Sequence, residues 1–185
     1  MTLLFLDVET TGVTNKDSIL EVAWFVTNDD GSNRREEHSQ VIGVTEHGRA
    51  RVIDNQHVHA MHRRSGLFDE LEDISDDVYD HTLEDVRRHL RQLHQREGRR
   101  ALVELAGFSV HFDARMLLAA WRASDWSSAT GGGYRYLDVS SVTRAVLEAT
   151  GIDVRPATEV AHRALADCDA AHQTYLAALA TIAGR

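Results

Sequence analysis

The sequence predicts an α/β layered domain built on a mixed sheet, and three observations carry that reading. The chain opens on an apolar run, Leu3 to Leu6, that stops abruptly at two acids, Asp7 and Glu9. Two more β-rich stretches follow it closely, as in an antiparallel meander. The rest alternates helical periodicity with short apolar strands, the pattern of helices layered on a sheet.

Ile19 to Thr27 is rich in β-branched and aromatic residues, and Asn28-Asp29-Asp30-Gly31 turns the chain after it. A third strand is expected around Glu37 to Val44. Residues 46–66 lack a clear period and read as a loop with short helical pieces. Helices are expected from Gly66 to Ile74 and from Thr82 to Glu97, the latter with Leu83, Val86, Leu90 and Leu93 in one apolar stripe. The other face of that helix carries Arg87, Arg88, Arg91 and Arg96, and Arg99 and Arg100 follow; interspersed acids make this a solvated face. Ala101 to Gly107 reads as a buried strand, with a helix from His111 to Ala123 after it. Ser127 to Gly133, with three consecutive glycines, reads as a flexible loop. Tyr136-Leu137 leads into a helix from Val139 to Thr150, and an alanine-rich helix runs from near His162 to Ile182. No repeat or linker interrupts the pattern, so residues 1–185 are expected to form one domain.

Bulk properties narrow the function. No apolar stretch approaches the ~20 residues that span a bilayer, and no basic region precedes the first apolar run. Cys168 is the only cysteine, so no intrachain disulfide can form and a reducing, cytoplasmic setting is expected. A net charge of −9 argues against coating long nucleic acid by counterion release. It leaves room for a pocket that grips a short polyanion through cations and a few arginines.

In a strand alternate side chains share a face, so Asp7 and Glu9 project together. Thr10-Thr11-Gly12 reads as a turn in which Gly12 is free to take positive φ. Two carboxylates held so close repel, and a divalent cation relieves them; Mg²⁺ and Mn²⁺ favour such oxygen ligands. Two later stretches add to this pair. Asp113 stands just beyond the strand ending at Gly107, at the start of a helix. His162 and Asp167 lie around the start of the last helix, and they can reach one cleft only if His162 sits at its frayed beginning. Each also has a plainer reading, Asp113 as a helix cap and Asp167 or Asp169 as exposed helical acids.

The ordered set, Asp7-x-Glu9, Phe112-Asp113, and His162 five places before Asp167, resembles the motifs of the DEDD-type 3′–5′ exonucleases of the histidine subclass (DEDDh). The resemblance spans nearly the whole chain. It implies a ribonuclease-H-like fold with a central five-stranded mixed sheet flanked by helices. It also implies two divalent ions, Mg²⁺ or Mn²⁺, on Asp7, Glu9, Asp113 and Asp167, with His162 as the proton acceptor. Met61-His62-Arg63-Arg64-Ser65-Gly66-Leu67, Tyr134-Arg135-Tyr136-Leu137-Asp138-Val139-Ser140 and His162-Arg163-Ala164-Leu165 look like the oligoribonuclease branch, which degrades very short single-stranded RNA as a homodimer. Carried over, Arg135, Ser140 and Ser109 would cap the 5′ phosphate, Val13 would wedge against the bases, His62 would lie beside the substrate, and Tyr134 would approach from the partner subunit. The chain departs from that branch in two places. A base-stacking tryptophan is absent, with His57 near its position, and Phe112-Asp113 is closer to proofreading-type DNA exonucleases. A proofreading or repair DNA exonuclease is therefore the alternative.

Overall fold

The computed structural model describes residues 1–75, 78–98, 102–132, 135–155 and 161–184. Its centre is β1 (Thr2–Thr10), in which every residue but Asp7 is buried. β2 (Ile19–Asn28) pairs antiparallel to it, and β3 (Arg35–Val41) pairs antiparallel to β2. On the other side β4 (Val103–Gly107) runs parallel to β1, and β5 (Tyr136–Asp138) runs parallel to β4. The result is a mixed five-stranded sheet in the order β3-β2-β1-β4-β5.

Alternation along β1 sorts its side chains into two cores. Leu4, Leu6 and Val8 join Val22 and Trp24 of β2 under α4 (Tyr79–Glu97) and α5 (His111–Ala120). Leu3 and Phe5 point the other way, into a cluster with Phe25, Val139 of α7 (Val139–Thr150), and Ala164, Cys168, Ala171 and Tyr175 of α8 (Ala164–Ile182). The small residues let α8 lie close on the sheet, and each fully buried large side chain contributes about 1.5–3 kcal/mol. The stripe expected on α4 is the buried one: Leu83, Val86, Leu90 and Leu93 all face inward. Opposite it, Arg87 and Arg91 donate to the carbonyl of Ala129, and Arg96 pairs with Glu36.

Three segments differ from their sequence reading. Residues 46–66 form α1 (Glu46–Asp54) and α2 (Gln56–Arg64), each nine residues long, capped by the side chains of Thr45 and Asn55. α3 (Leu67–Glu72) follows Gly66, whose φ of 75° closes α2 off. The stretch read as a flexible loop from Ser127 overlaps α6 (Trp126–Thr130), where Asp125 accepts the Ser128 amide at 2.8 Å and Trp126 is buried. Gly132 is packed so tightly against His94 that a Cβ would come within 2.3 Å of the ring. Finally, Gly12 is not among the positive-φ residues. A side chain is excluded there because its Cβ would fall 2.8 Å from the Asp17 carboxylate. That carboxylate organises the loop by accepting from the Thr14 amide and hydroxyl and from Arg51. No helix among the described residues is long and apolar enough to cross a membrane.

Candidate active site

The site forms where β1 and β4 part. Their parallel pairing runs from Thr2↔Val103 to Phe5↔Ala106 and stops. Gly107 allows the last close approach, since a Cβ there would sit 2.8 Å from the Leu6 carbonyl oxygen. Past this point no strand among the described residues lies beside β1 on that edge, and the Val8 amide donates instead to Oδ1 of Asp113 at 3.0 Å. A crevice at the carboxyl ends of parallel strands is where open α/β sheets place ligands. Asp113 is the third residue of α5 and not its cap; that position belongs to Val110.

Asp7 and Glu9 continue the Leu3–Phe5 face of β1 and so meet α8, which carries Asp167 in its first turn. His162 lies just before α8, half-buried, with a left-handed φ of 53°. The backbone amides of Ala161 and His162 lie on the Asp167 side of that segment and help hold that carboxyl down against burial. Glu9, His162 and Asp167 can each offer one ligand atom, all within 4.8 Å of one another.

Electrostatics bind the four acids into one unit. Burial holds Asp7 well above the usual carboxylate range, and Asp113, Glu9, Asp167 and Glu21 push it in the same direction. Burial raises Glu9 to about 8, helped by Asp167 and Glu21. Asp113 is raised to about 8, mainly by burial and against the Val8 hydrogen bond. Burial lifts Asp167 to about 6, while a hydrogen bond from Glu9 opposes the rise. Oδ1 of Asp167 is buried without a hydrogen-bond partner among the described residues. An oxygen-rich donor set, mutually repelling, with one orphaned oxygen and an imidazole at the rim, fits hard divalent cations.

The remaining expected residues are distributed less simply. Val13 stands exposed at the loop tip, where Arg115 of α5 donates to its carbonyl at 3.1 Å. Ser109, with φ 51°, and Ser140 are brought together because both amides donate to Oδ1 of Asp138, at 2.9 and 3.0 Å. Arg135 is turned to Glu104 instead, 3.4 Å away, so the three cap residues are not assembled as a group. His62 is fully buried, not open to the cleft. Its Nε2 donates to the Thr10 carbonyl at 2.9 Å, and its Nδ1, which has no hydrogen-bond partner among the described residues, lies 3.9 Å from Glu9. Burial lowers its pKa, so the ring backs Glu9 as a neutral group. Tyr134 lies outside the described residues. A cavity of about 300 Å³ borders Ser140, but the arginines on its rim, Arg144 and Arg155, are paired with Glu148 and Asp153.

Sequence reasoning missed Glu21 and Arg163. Glu21 is buried on β2 directly across from Glu9, and Arg163 chelates it. The available signal was an acid inside an otherwise apolar strand, which requires a partner once buried.

No known protein-family pattern matches the chain, and no curated protein sequence does. Solved structures do. E. coli exonuclease I in complex with a dT13 oligonucleotide superposes with a TM-score of 0.61 at 16% identity, over 97% of this chain and 40% of that one. The zinc-bound form of the E. coli exonuclease I–ssDNA complex gives 0.58 at 14%, over 98% and 40%. A moderately thermophilic exonuclease I from Methylocaldum szegediense gives 0.52 at 15%, over 92% and 38%. The chain therefore spans about 40% of the length of these structures. The likeness is one of fold: a mixed five-stranded sheet flanked by helices, in a ribonuclease-H-like arrangement.

Proposed function

We propose that this chain is a divalent-metal-dependent 3′–5′ exonuclease that hydrolyses short single-stranded oligonucleotides to nucleoside 5′-monophosphates, in the manner of an oligoribonuclease. One observation carries the reading. Acids from β1, α5 and α8, far apart in sequence, meet in one buried cluster with His162 beside them. A cluster of that kind is costly to hold and has no structural use, whereas phosphodiester hydrolysis needs it. The fold shared with exonuclease I supports the same class.

Asp7, Glu9, Asp113 and Asp167 would hold two ions, Mg²⁺ or Mn²⁺. When bound, such a pair supplies positive charge beside the attacking and departing oxygens of an in-line displacement. His162 takes the proton from the attacking water as its oxygen bonds to phosphorus. The bond to the 3′ oxygen then breaks, and that oxygen is protonated from solvent. Val13, on a loop tied down by Arg115, suits contact with the terminal bases. Ser109 and Ser140, gathered by Asp138, suit a 5′ phosphate, which Arg135 could join by leaving Glu104. His62 would act from behind Glu9. Tyr134 would complete the site from the partner of a homodimer.

A second reading, a DNA exonuclease, is favoured by Phe112-Asp113 and by the single-stranded DNA seen in the exonuclease I complexes. A length series of 5′-labelled RNA and DNA, from dimers upward, separates the two. RNA dimers turned over fastest, with Mn²⁺ and not with EDTA, support the first; preference for DNA beyond ~10 nucleotides replaces it with the second. Asp7→Ala and His162→Ala should each lower kcat by two or more orders of magnitude, roughly, while the fold persists. Undiminished turnover in either variant would mean that the measured activity comes from another enzyme.

A further inference from the structure

We infer that Glu21 and Arg163 are positioning residues for the proposed hydrolysis: together they form a clamp that fixes His162 over the acid cluster and keeps a fifth carboxylate out of it. The inference rests on the nuclease reading above. It begins with two awkward facts of the backbone. Glu21 lies directly opposite Glu9 in the β1–β2 ladder, where like charges destabilise a sheet. His162 holds a left-handed φ of 53°, an uncommon conformation for a residue with a Cβ and one that its neighbours must keep in place.

Arg163 resolves both. Its Nε donates to Oε2 of Glu21 at 3.1 Å and its Nη2 to Oε1 at 3.0 Å, a two-armed contact that fixes the guanidinium plane. The Ala164 amide adds a third bond, to Oε2 at 3.0 Å, and the Ser39 hydroxyl a fourth, to Oε1 at 3.4 Å. On its outer side Arg163 also holds Glu70 of α3, at 2.8 and 3.1 Å. Both oxygens of Glu21 are thereby occupied, so this buried acid is spent on protein donors and does not compete for cations. The same contacts pin the residue that follows His162 to β2 and α3. The imidazole then has one short, anchored stretch of backbone from which to reach the cluster.

A lysine at this position keeps the charge but cannot make the two-armed contact. The test compares wild type, Arg163→Lys and Glu21→Gln for kcat and KM on a short oligonucleotide with Mn²⁺, for melting temperature, and for the His162 ring signals by NMR. Arg163→Lys should melt within a few degrees of wild type while kcat falls about 10- to 100-fold, KM changes little, and the His162 signals shift or broaden. Glu21→Gln should lose rate in the same direction. Full kcat in both variants overturns the inference. So does a loss of rate that merely tracks melting while the His162 signals stay in place. If wild type itself shows no metal-dependent hydrolysis, the nuclease reading fails on its own. The ring signals then still decide whether the clamp sets His162.

Discussion

Replacing Asp113 with asparagine should stabilise the metal-free protein. The carboxyl sits 3% exposed, raised from its ordinary 3.8 to about 8, mostly by burial. Folding therefore takes up a proton between those two values. By linkage its contribution falls as pH rises, at up to about 1.4 kcal/mol per pH unit. For an isolated group the accumulated cost at pH 8 would approach about 5 kcal/mol. The neighbouring acids share it, so removing one charge should recover about 1–3 kcal/mol. Asparagine keeps the oxygen that accepts the Val8 amide, so the strand–helix link survives. At about 2–4 °C per kcal/mol for a chain of this size, the melting temperature in EDTA at pH 8 should rise by about 2–12 °C. The gap should shrink toward pH 5. Saturating Mn²⁺ should reverse the order, because binding at a hundredfold excess over Kd adds about 2.7 kcal/mol to the wild type and less to the variant. Thermal unfolding at both pH values, with EDTA and with Mn²⁺, reads all of this. A variant less stable than wild type in EDTA at pH 8, or equal Mn²⁺ stabilisation of both proteins, would refute the reasoning.

Two further outcomes test the fold around the site. Burial holds His94 down to about 4, and its Nε2 takes the Trp126 indole N–H, which requires the neutral ring. The unfolded chain binds that proton first, so stability is complete above pH 6.5 and falls toward pH 4, by about 3 kcal/mol in all. His94→Leu should flatten this acid limb in urea titrations at pH 7 and 5; an unchanged slope would remove His94 as its source. Gly107→Ala should force β1 and β4 apart against the Leu6 carbonyl and cost about 1–3 kcal/mol, seen as a lower urea midpoint. Unaltered stability would show that the two strands can part there freely.

Much of this was legible in the sequence because it depended on local periodicity. The alternation that put Asp7 and Glu9 on one face, and the stripe on α4, are read directly from residue spacing. The short helix α6 was hidden because five residues give no period, although Asp125 with Ser128 three places on was a usable cap signal. Gly12 was misread because its constraint is the Asp17 carboxylate in space and not its own φ. The burial of His62 and the turn of Arg135 to Glu104 are tertiary facts without local trace. The Glu21–Arg163 pair joins residues 142 positions apart, and nothing in either neighbourhood names the other.

The amide of Val8 has a consequence of its own. Most backbone groups in this sheet answer only to other backbone groups, and so register nothing but the integrity of the ladder. This one is committed to a side chain of the acid cluster. Whatever draws electrons from Asp113, whether a proton or an ion, weakens that oxygen as an acceptor and so weakens the hydrogen bond from the Val8 N–H. The protein thus carries a native probe at the heart of its sheet, and a single nitrogen resonance can report how the neighbouring charge is satisfied.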